Sequence, residues 1–330
     1  MPTLRIHFDP TDLKRLRVAQ RPDPLWEVVG SLHVLQSKEG ELVFADWRRA
    51  ASARLVPGTP GWRAAAGLRT LAPYASYIPD FLTPTVTGAD LTTGVERVLV
   101  TPARRLTAEL SRLSTPGPVP PPLRALARGE ATAMAGLGRM IHAYSAAVVQ
   151  PGWDAVETAV GADIAWRRRI LATEGPDALL DSLRPLAGWQ RPVLSMRYPV
   201  DRDLLLGGRG LLLVPSYFCW RMPVSLVDPT LPPVLVYPVD HGLGAEPAAS
   251  DSALADLVGR TRATMLFALA ERRCASTTEV AEAAYVSLPS ASQQLTVLRD
   301  GGLIASRRVG RHLLHTVTSL GYRLLGATEE

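Results

Sequence analysis

Apolar residues change their spacing twice along this chain. Up to about residue 190 they recur mainly at helical intervals, broken by Pro, Gly and Asp. Residues 3–8 alternate as a strand does, and Asp9 or Thr11 is placed to cap a short helix after it. Asp23-Pro24 opens a helix running to about Gln36, with Asp at the cap and Pro in the first turn. Leu25, Val28 or Val29, Leu32 and Leu35 form its apolar face, and Trp26 and His33 lie on it too. A histidine on such a face reads as a satisfied structural residue rather than a ligand. Further helices are predicted over residues 44–55, 61–71, 89–100 and 102–113, with an irregular aromatic segment carrying Tyr74, Tyr77 and Phe81 between the second and third.

Residues 114–122 hold five prolines and one glycine, and read as an exposed extended linker that could subdivide the N-terminal half. Helical spacing resumes over 129–150, 152–174 and 176–186; Arg167-Arg168-Arg169 is expected on a solvated face of the second of these. From 191 the pattern becomes short β-rich runs, 193–198, 201–206, 211–215, 217–226 and 234–237, which read as an antiparallel meander. Gly207-Gly208-Arg209-Gly210 is a turn between two of them and opens no helix, so it is not a dinucleotide loop. Residues 240–250 read as a second linker.

The last quarter organises the rest. Met265, Leu266 and Leu269 keep helical spacing over 260–270. Ser276 or Thr277 caps a second helix, with Glu279 as a capping-box partner, and Ala284-Tyr285-Val286 forms a turn. Ser287 caps a third helix, 288–300, with Pro289 in its first turn and Gly301-Gly302 at its end. Two strands, 303–308 and 312–317, flank the tight turn Val309-Gly310-Arg311. On the third helix Leu288, Ala291, Leu295 and Leu298 share the apolar side. The other side offers Ser290, Gln293, Gln294 and Thr296, short or uncharged groups suited to base edges and phosphates. From Arg260 to His315 there are 8 Arg against 4 acids, a surplus of +4 in the place where DNA would lie.

Residues 252–318 resemble the arsenic-repressor-type (ArsR/SmtB) winged-helix regulators of bacteria. The resemblance is carried by Leu254-Ala255, Thr261-Arg262, Leu266, Leu269, Thr278-Glu279-Val280-Ala281, Ser292 through Leu298, Gly302-Leu303-Ile304 and Arg307 through Arg311. Where the family has Ser-x-His-Leu, this chain has Ser292-Gln293-Gln294-Leu295. The resemblance implies a winged helix-turn-helix that binds double-stranded operator DNA. Thr277, Thr278, Ser287, Ser290, Ser292, Gln293, Gln294 and Arg299 are its expected contacts from the helices, and Arg307, Arg308 and Arg311 those from the wing. The family's metal-sensing cysteines have no counterpart here, and no His or Cys follows His315. No metal site and no cofactor is expected. More faintly, Asp23-Pro24-Leu25-Trp26-Glu27 and Gly210 through Ser216 resemble the long N-terminal extensions of some actinobacterial-type members.

The fold class expected is therefore α+β: a helix-rich N-terminal regulatory domain with an antiparallel meander over 1–240, then a winged helix-turn-helix over 251–330. Composition changes this little. The net charge of +5 agrees with a nucleic-acid partner without establishing one, and 47 % hydrophobic residues support ordinary cores. Residues 1–9 lack the apolar core of a signal peptide, no apolar run is long enough to span a membrane, and Cys219 and Cys274 give no disulfide framework; a cytoplasmic protein is expected. There is no Gly-x-Ser-x-Gly elbow, Walker loop or His-Glu-x-x-His, so no enzyme is expected.

The function expected is a transcriptional regulator, more a repressor than an activator, acting as a homodimer. A helix over 252–259 and a tail helix over 320–325 are the expected seam. Control would come through a small organic effector bound by Trp26, Tyr77, Tyr217, Trp220 and Arg221, or through assembly. An enzyme-like N-terminal domain tethered to DNA and a non-sensing scaffold are the alternatives.

Overall fold

Alternation at the first strand sets the frame: Leu4 and Ile6 are wholly buried while Thr3, Arg5 and His7 stay partly exposed. The computed structural model describes residues 2–41, 43–74, 77–84, 90–113, 120–220, 222–239, 258–272, 274–309 and 312–325. The chain divides into two units, Met1–His241 and Gly242–Glu330. The expected linker over 240–250 lies outside the described residues, as do 114–119 of the proline-rich stretch.

The first unit begins β1 (Thr3–His7), α1 (Pro10–Lys14), β2 (Arg17–Val18), α2 (Pro24–Gln36), α3 (Ala45–Arg54) and α4 (Pro60–Leu71). After a 3-10 turn at Asp80–Leu82 come α5 (Leu91–Leu99), α6 (Ala103–Leu110), α7 (Pro121–Ala127) and α8 (Ala131–Tyr144). A π turn, Ser145–Val149, leads to α9 (Trp153–Thr173) and α10 (Pro176–Asp181). The strands β3 (Ala187–Gln190), β4 (Val193–Arg197), β5 (Arg202–Leu205), β6 (Leu212–Ser216), β7 (Val224–Ser225) and β8 (Val234–Pro238) complete it. Starts follow the caps read from sequence: Asp9 accepts from Thr11 and Asp12 N–H, and Asp23 from Leu25 and Trp26 N–H. The proline-rich segment is not extended throughout. Pro121 and Pro122 open α7, because proline in a first turn forfeits no helical hydrogen bond.

The expected antiparallel meander is not formed. The strands divide between two four-stranded sheets, in the orders β3-β4-β1-β5 and β2-β6-β8-β7. β1 sits between β4, antiparallel, and β5, parallel, while β2, β6 and β8 run parallel. The reason lies in β6 and β8. Every residue of β6 is buried, the mark of a strand covered on both faces rather than half-solvated. Leu212 and Val214 pack with Trp26 of α2, whereas Leu211 and Leu213 pack with Val160 and Ile164 of α9. A separate helical core joins α2, α4, α5, α6, α7 and α8 through Leu32, Leu68, Val98, Leu106, Leu126 and Leu137.

Buried acids tie these layers together. The Glu27 carboxylate of α2 accepts from Tyr217 N–H at 2.9 Å, Phe218 N–H at 3.0 Å and Ser216 Oγ at 3.2 Å. Asp80 accepts from the Val227 and Asp228 amides, and Asp12 from the Gly210 amide. Arg167 corrects the sequence reading: it is buried on α9 beside Asp163 at 3.4 Å, donates to Ser182 Oγ and lies against the Tyr237 ring, while Arg168 and Arg169 are solvated as expected.

The second unit runs α11 (Arg260–Arg272), β9 (Ala275–Ser276), α12 (Thr277–Ala283), α13 (Leu288–Asp300), β10 (Ile304–Val309), β11 (His312–Val317) and α14 (Ser319–Leu324). Met265, Leu266 and Leu269 of α11 meet Val280 of α12, Leu295 and Leu298 of α13, and Ile304 in one core. β9 pairs with β11, making the predicted hairpin a three-stranded antiparallel sheet in the order β10-β11-β9. Two residues with no apolar alternation gave no sign of that strand. Residues 252–257 of the expected seam helix lie outside the described residues.

Candidate functional site

The second unit carries most of the side chains singled out from sequence. α12 starts with a full capping box: Ser276 Oγ accepts from Glu279 N–H, and the Glu279 carboxylate accepts from Ser276 N–H at 2.7 Å. α12 ends in a tight turn at Ala284-Tyr285-Val286. Val286 N–H bonds to Ala281 C=O at 3.0 Å, and Tyr285 has φ of 53°, the one described non-glycine residue in the left-handed region. Ser287 caps α13 by accepting from Ser290 N–H. Gly302, at φ 71°, lets the chain leave that helix.

On α13, Ala291, Leu295 and Leu298 are buried, and Ser292, Gln293, Thr296 and Arg299 are exposed; Ser290 and Gln294 are half-buried. Thr278 and Ser287 are exposed as well. Arg307 and Arg308 are exposed on β10, opposite Leu314 and Leu313 in register. Arg311 lies outside the described residues. Arg299 bonds to Asp300 at 3.1 Å, so its charge is partly answered by its neighbour.

Thr277 is differently placed. It is half-buried, with its hydroxyl 3.0 Å from His315 Nε2, and the other ring nitrogen of His315 lies 2.8 Å from Ser306 Oγ. His315 is buried, and burial, with Arg299 second, holds its pKa below the ordinary value. A neutral ring can donate from one nitrogen and accept at the other, and a hydroxyl can complement either role. His315 thus ties the start of α12 to strand β10. The sequence expectations gave this histidine no role. The signal missed was its place at an inward position of a strand.

No protein-family profile matches this sequence, and no curated protein or solved structure matches it either.

In the first unit, the described residues expected to bind an effector belong to three different packed clusters. Trp26 is buried against Cys219 and Leu226; Tyr77 packs on the helical core beneath the Arg112 guanidinium; Tyr217 and Trp220 surround Phe44. Arg221 lies outside the described residues. The reason is that aromatics and apolar residues look alike in sequence, and the β6–β7 segment uses its own to close two cores. A groove occurs elsewhere. Cavities of about 320 Å³ and 460 Å³ both touch Leu16 and Leu171; Val18, Ala172 and Leu212 line the first and Leu13 the second. Arg17, Arg168, Lys14 and Arg191 edge them. The one acid present, Asp177, already accepts from Trp189 Nε1 and pairs with Arg191 at 3.5 Å. Among the described residues, no three His, Cys, Asp or Glu side chains are grouped to hold a metal. No described helix is long and apolar enough to cross a membrane.

Proposed function

We propose that this chain is a sequence-specific DNA-binding transcriptional regulator, a repressor acting as a homodimer, whose second unit is a winged helix-turn-helix. The observation that carries this reading is α13. Three buried apolar residues seat it on α11 and α12, and its outer side presents Ser292, Gln293 and Thr296, uncharged donors and acceptors of the kind that read base edges. A surface helix normally turns charged and polar residues outward, and on this one uncharged donors and acceptors predominate over the N-terminal two-thirds of that side. Beside it, Arg307 and Arg308 stand exposed on a hairpin, the position of a wing that neutralises phosphates. In this reading Thr277 acts through its neighbours more than by direct contact, since its hydroxyl is engaged by His315.

The first unit is the controlling half, through a small organic effector or through assembly. Besides the aromatic residues expected from sequence, the groove over Leu16 and Leu171 is a second place for such a molecule. Its volumes fall in the range of small-molecule sites, and its cationic edge suits an anionic organic molecule.

The test is a binding titration on selected operator DNA and on random DNA, with light scattering of the complex. Gln293→Ala is expected to cost roughly 1–3 kcal/mol on the operator and little on random DNA. Arg308→Ala is expected to weaken both alike and to reduce the salt slope by about one unit. Two protomers per operator are expected, because one such helix reads only one half-site. If both variants fold and bind like wild type, the second unit does not read DNA.

A further inference from the structure

Tyr285 stands apart from every other described residue of the second unit. The residue is 96 % exposed, the most of the large apolar and aromatic residues in the described chain. Its backbone is at φ 53°, where a Cβ crowds the following carbonyl and where Gly, Asn or Asp is the usual occupant. An exposed ring adds nothing to this unit's core, and the strained backbone subtracts from its stability. Both features are unfavourable for folding, and residues with that character mark functional sites when an outside partner accounts for them.

The turn holds the residue still. Tyr285 N–H bonds to Glu282 C=O at 3.2 Å and Val286 N–H to Ala281 C=O, while Ala284 and Val286 on either side pack against the core. The ring is therefore carried on a fixed backbone two residues before Ser287, the cap of α13, and beside the exposed Leu288.

We infer that Tyr285 is a phosphate-contacting residue that sets the depth and register of α13 on the duplex. This rests on the reading of α13 as the helix that enters the major groove. Such helices enter by their N-terminal end, and the residue just ahead of that end meets the sugar–phosphate strand bordering the groove. The phenol donates its O–H to a phosphate oxygen, and the ring lies against the sugar. A contact of this kind positions the protein without reading a base. Being neutral, it releases no counterion.

Three variants of the full chain test this in the same titration, with thermal melts of each. Tyr285→Asn suits the left-handed backbone and lacks the ring. It is expected to leave the melting temperature of the second unit unchanged or raise it, while weakening binding roughly tenfold on operator and random DNA alike. Tyr285→Phe keeps the ring and loses the hydroxyl, and is expected to lose most of that factor with no change in salt slope. Tyr285→Gly repeats the Asn result if the backbone accounts for the melt. A lower melting temperature in both the Asn and Gly variants would make Tyr285 a structural residue and overturn the inference. So would a Phe variant that binds like wild type. If Tyr285→Asn binds normally while Gln293→Ala and Arg308→Ala are impaired, this inference fails and the DNA reading stands. If the wild-type chain binds neither DNA, that reading itself fails.

Discussion

His33 shows how much one side chain can depart from a reasonable expectation. It lies on the inner face of α2 as the periodicity implies, but it is not satisfied: its Nε2 is buried with no hydrogen-bond partner. Burial holds its pKa down at about 4 against the ordinary 6.5. The folded pKa is thus below the unfolded one. Between about pH 4 and 6.5 the unfolded chain takes a proton that the folded chain refuses, so stability is lost as pH falls through that window, at about 1.4 kcal/mol per unit. Glu27 acts in the opposite sense. Burial pushes its carboxyl up to about 7 despite the amides of Tyr217 and Phe218, and its contribution is lost as pH rises from about 4.5 through 7. Replacing His33 by Phe keeps the ring and deletes the orphaned nitrogen. The expected gain is about 1 kcal/mol near pH 7.5, growing by roughly 2 kcal/mol near pH 5. Urea melts of both proteins at the two pH values measure it. A gain that shrinks on acidification would contradict this account.

At the scale of elements, the second unit was the more legible. Ser276 and Ser287 announced their helices, Gly301-Gly302 the end of α13, and Leu295 and Leu298 its inner side, because helix caps and helical period are local codes. For the candidate site, sequence gave the polar outer side of α13 and the arginines of β10, but neither the His315 link nor the strain at Tyr285, which depend on contacts and backbone angles. The first unit was legible only helix by helix. Its sheets pair residues nearly 200 positions apart, and no local pattern records which strand finds which. One turn shows how tight that pairing is. Gly210, at φ 73°, follows β5, and a Cβ there would stand 2.4 Å from the Arg15 carbonyl oxygen. Gly210→Ala is expected to cost roughly 2–4 kcal/mol, from the left-handed penalty and from forcing β2 away from β6. Chemical denaturation measures the loss. A variant within about 0.5 kcal/mol of wild type would show that the Arg15 segment yields freely.

For the molecule as a whole, the proposed function predicts that the first unit controls the second. A ligand that binds the folded state raises its melting temperature by mass action. In a thermal-shift screen, anionic organic molecules with an apolar body are expected to stabilise the first unit. Leu171→Trp, which adds bulk at a residue lining both cavities without adding a charge, is expected to abolish the shift. Stabilisers that act equally on that variant would place the effector elsewhere, and a screen of such molecules with no stabiliser would favour control by assembly alone.

The threading of β1 between β4 and β5, and of β2 onto β6, also has a consequence in time. At a synthesis rate of roughly 5–20 residues per second, the ribosome needs on the order of 10–40 s to advance from β1 to the strands that flank it. Through that interval Leu4 and Ile6 have no partner strand, and an unpaired apolar strand is a template for the wrong neighbour. Production of this protein in a cell is therefore expected to depend on what shelters its first twenty residues while the last strands of the first unit are still being made.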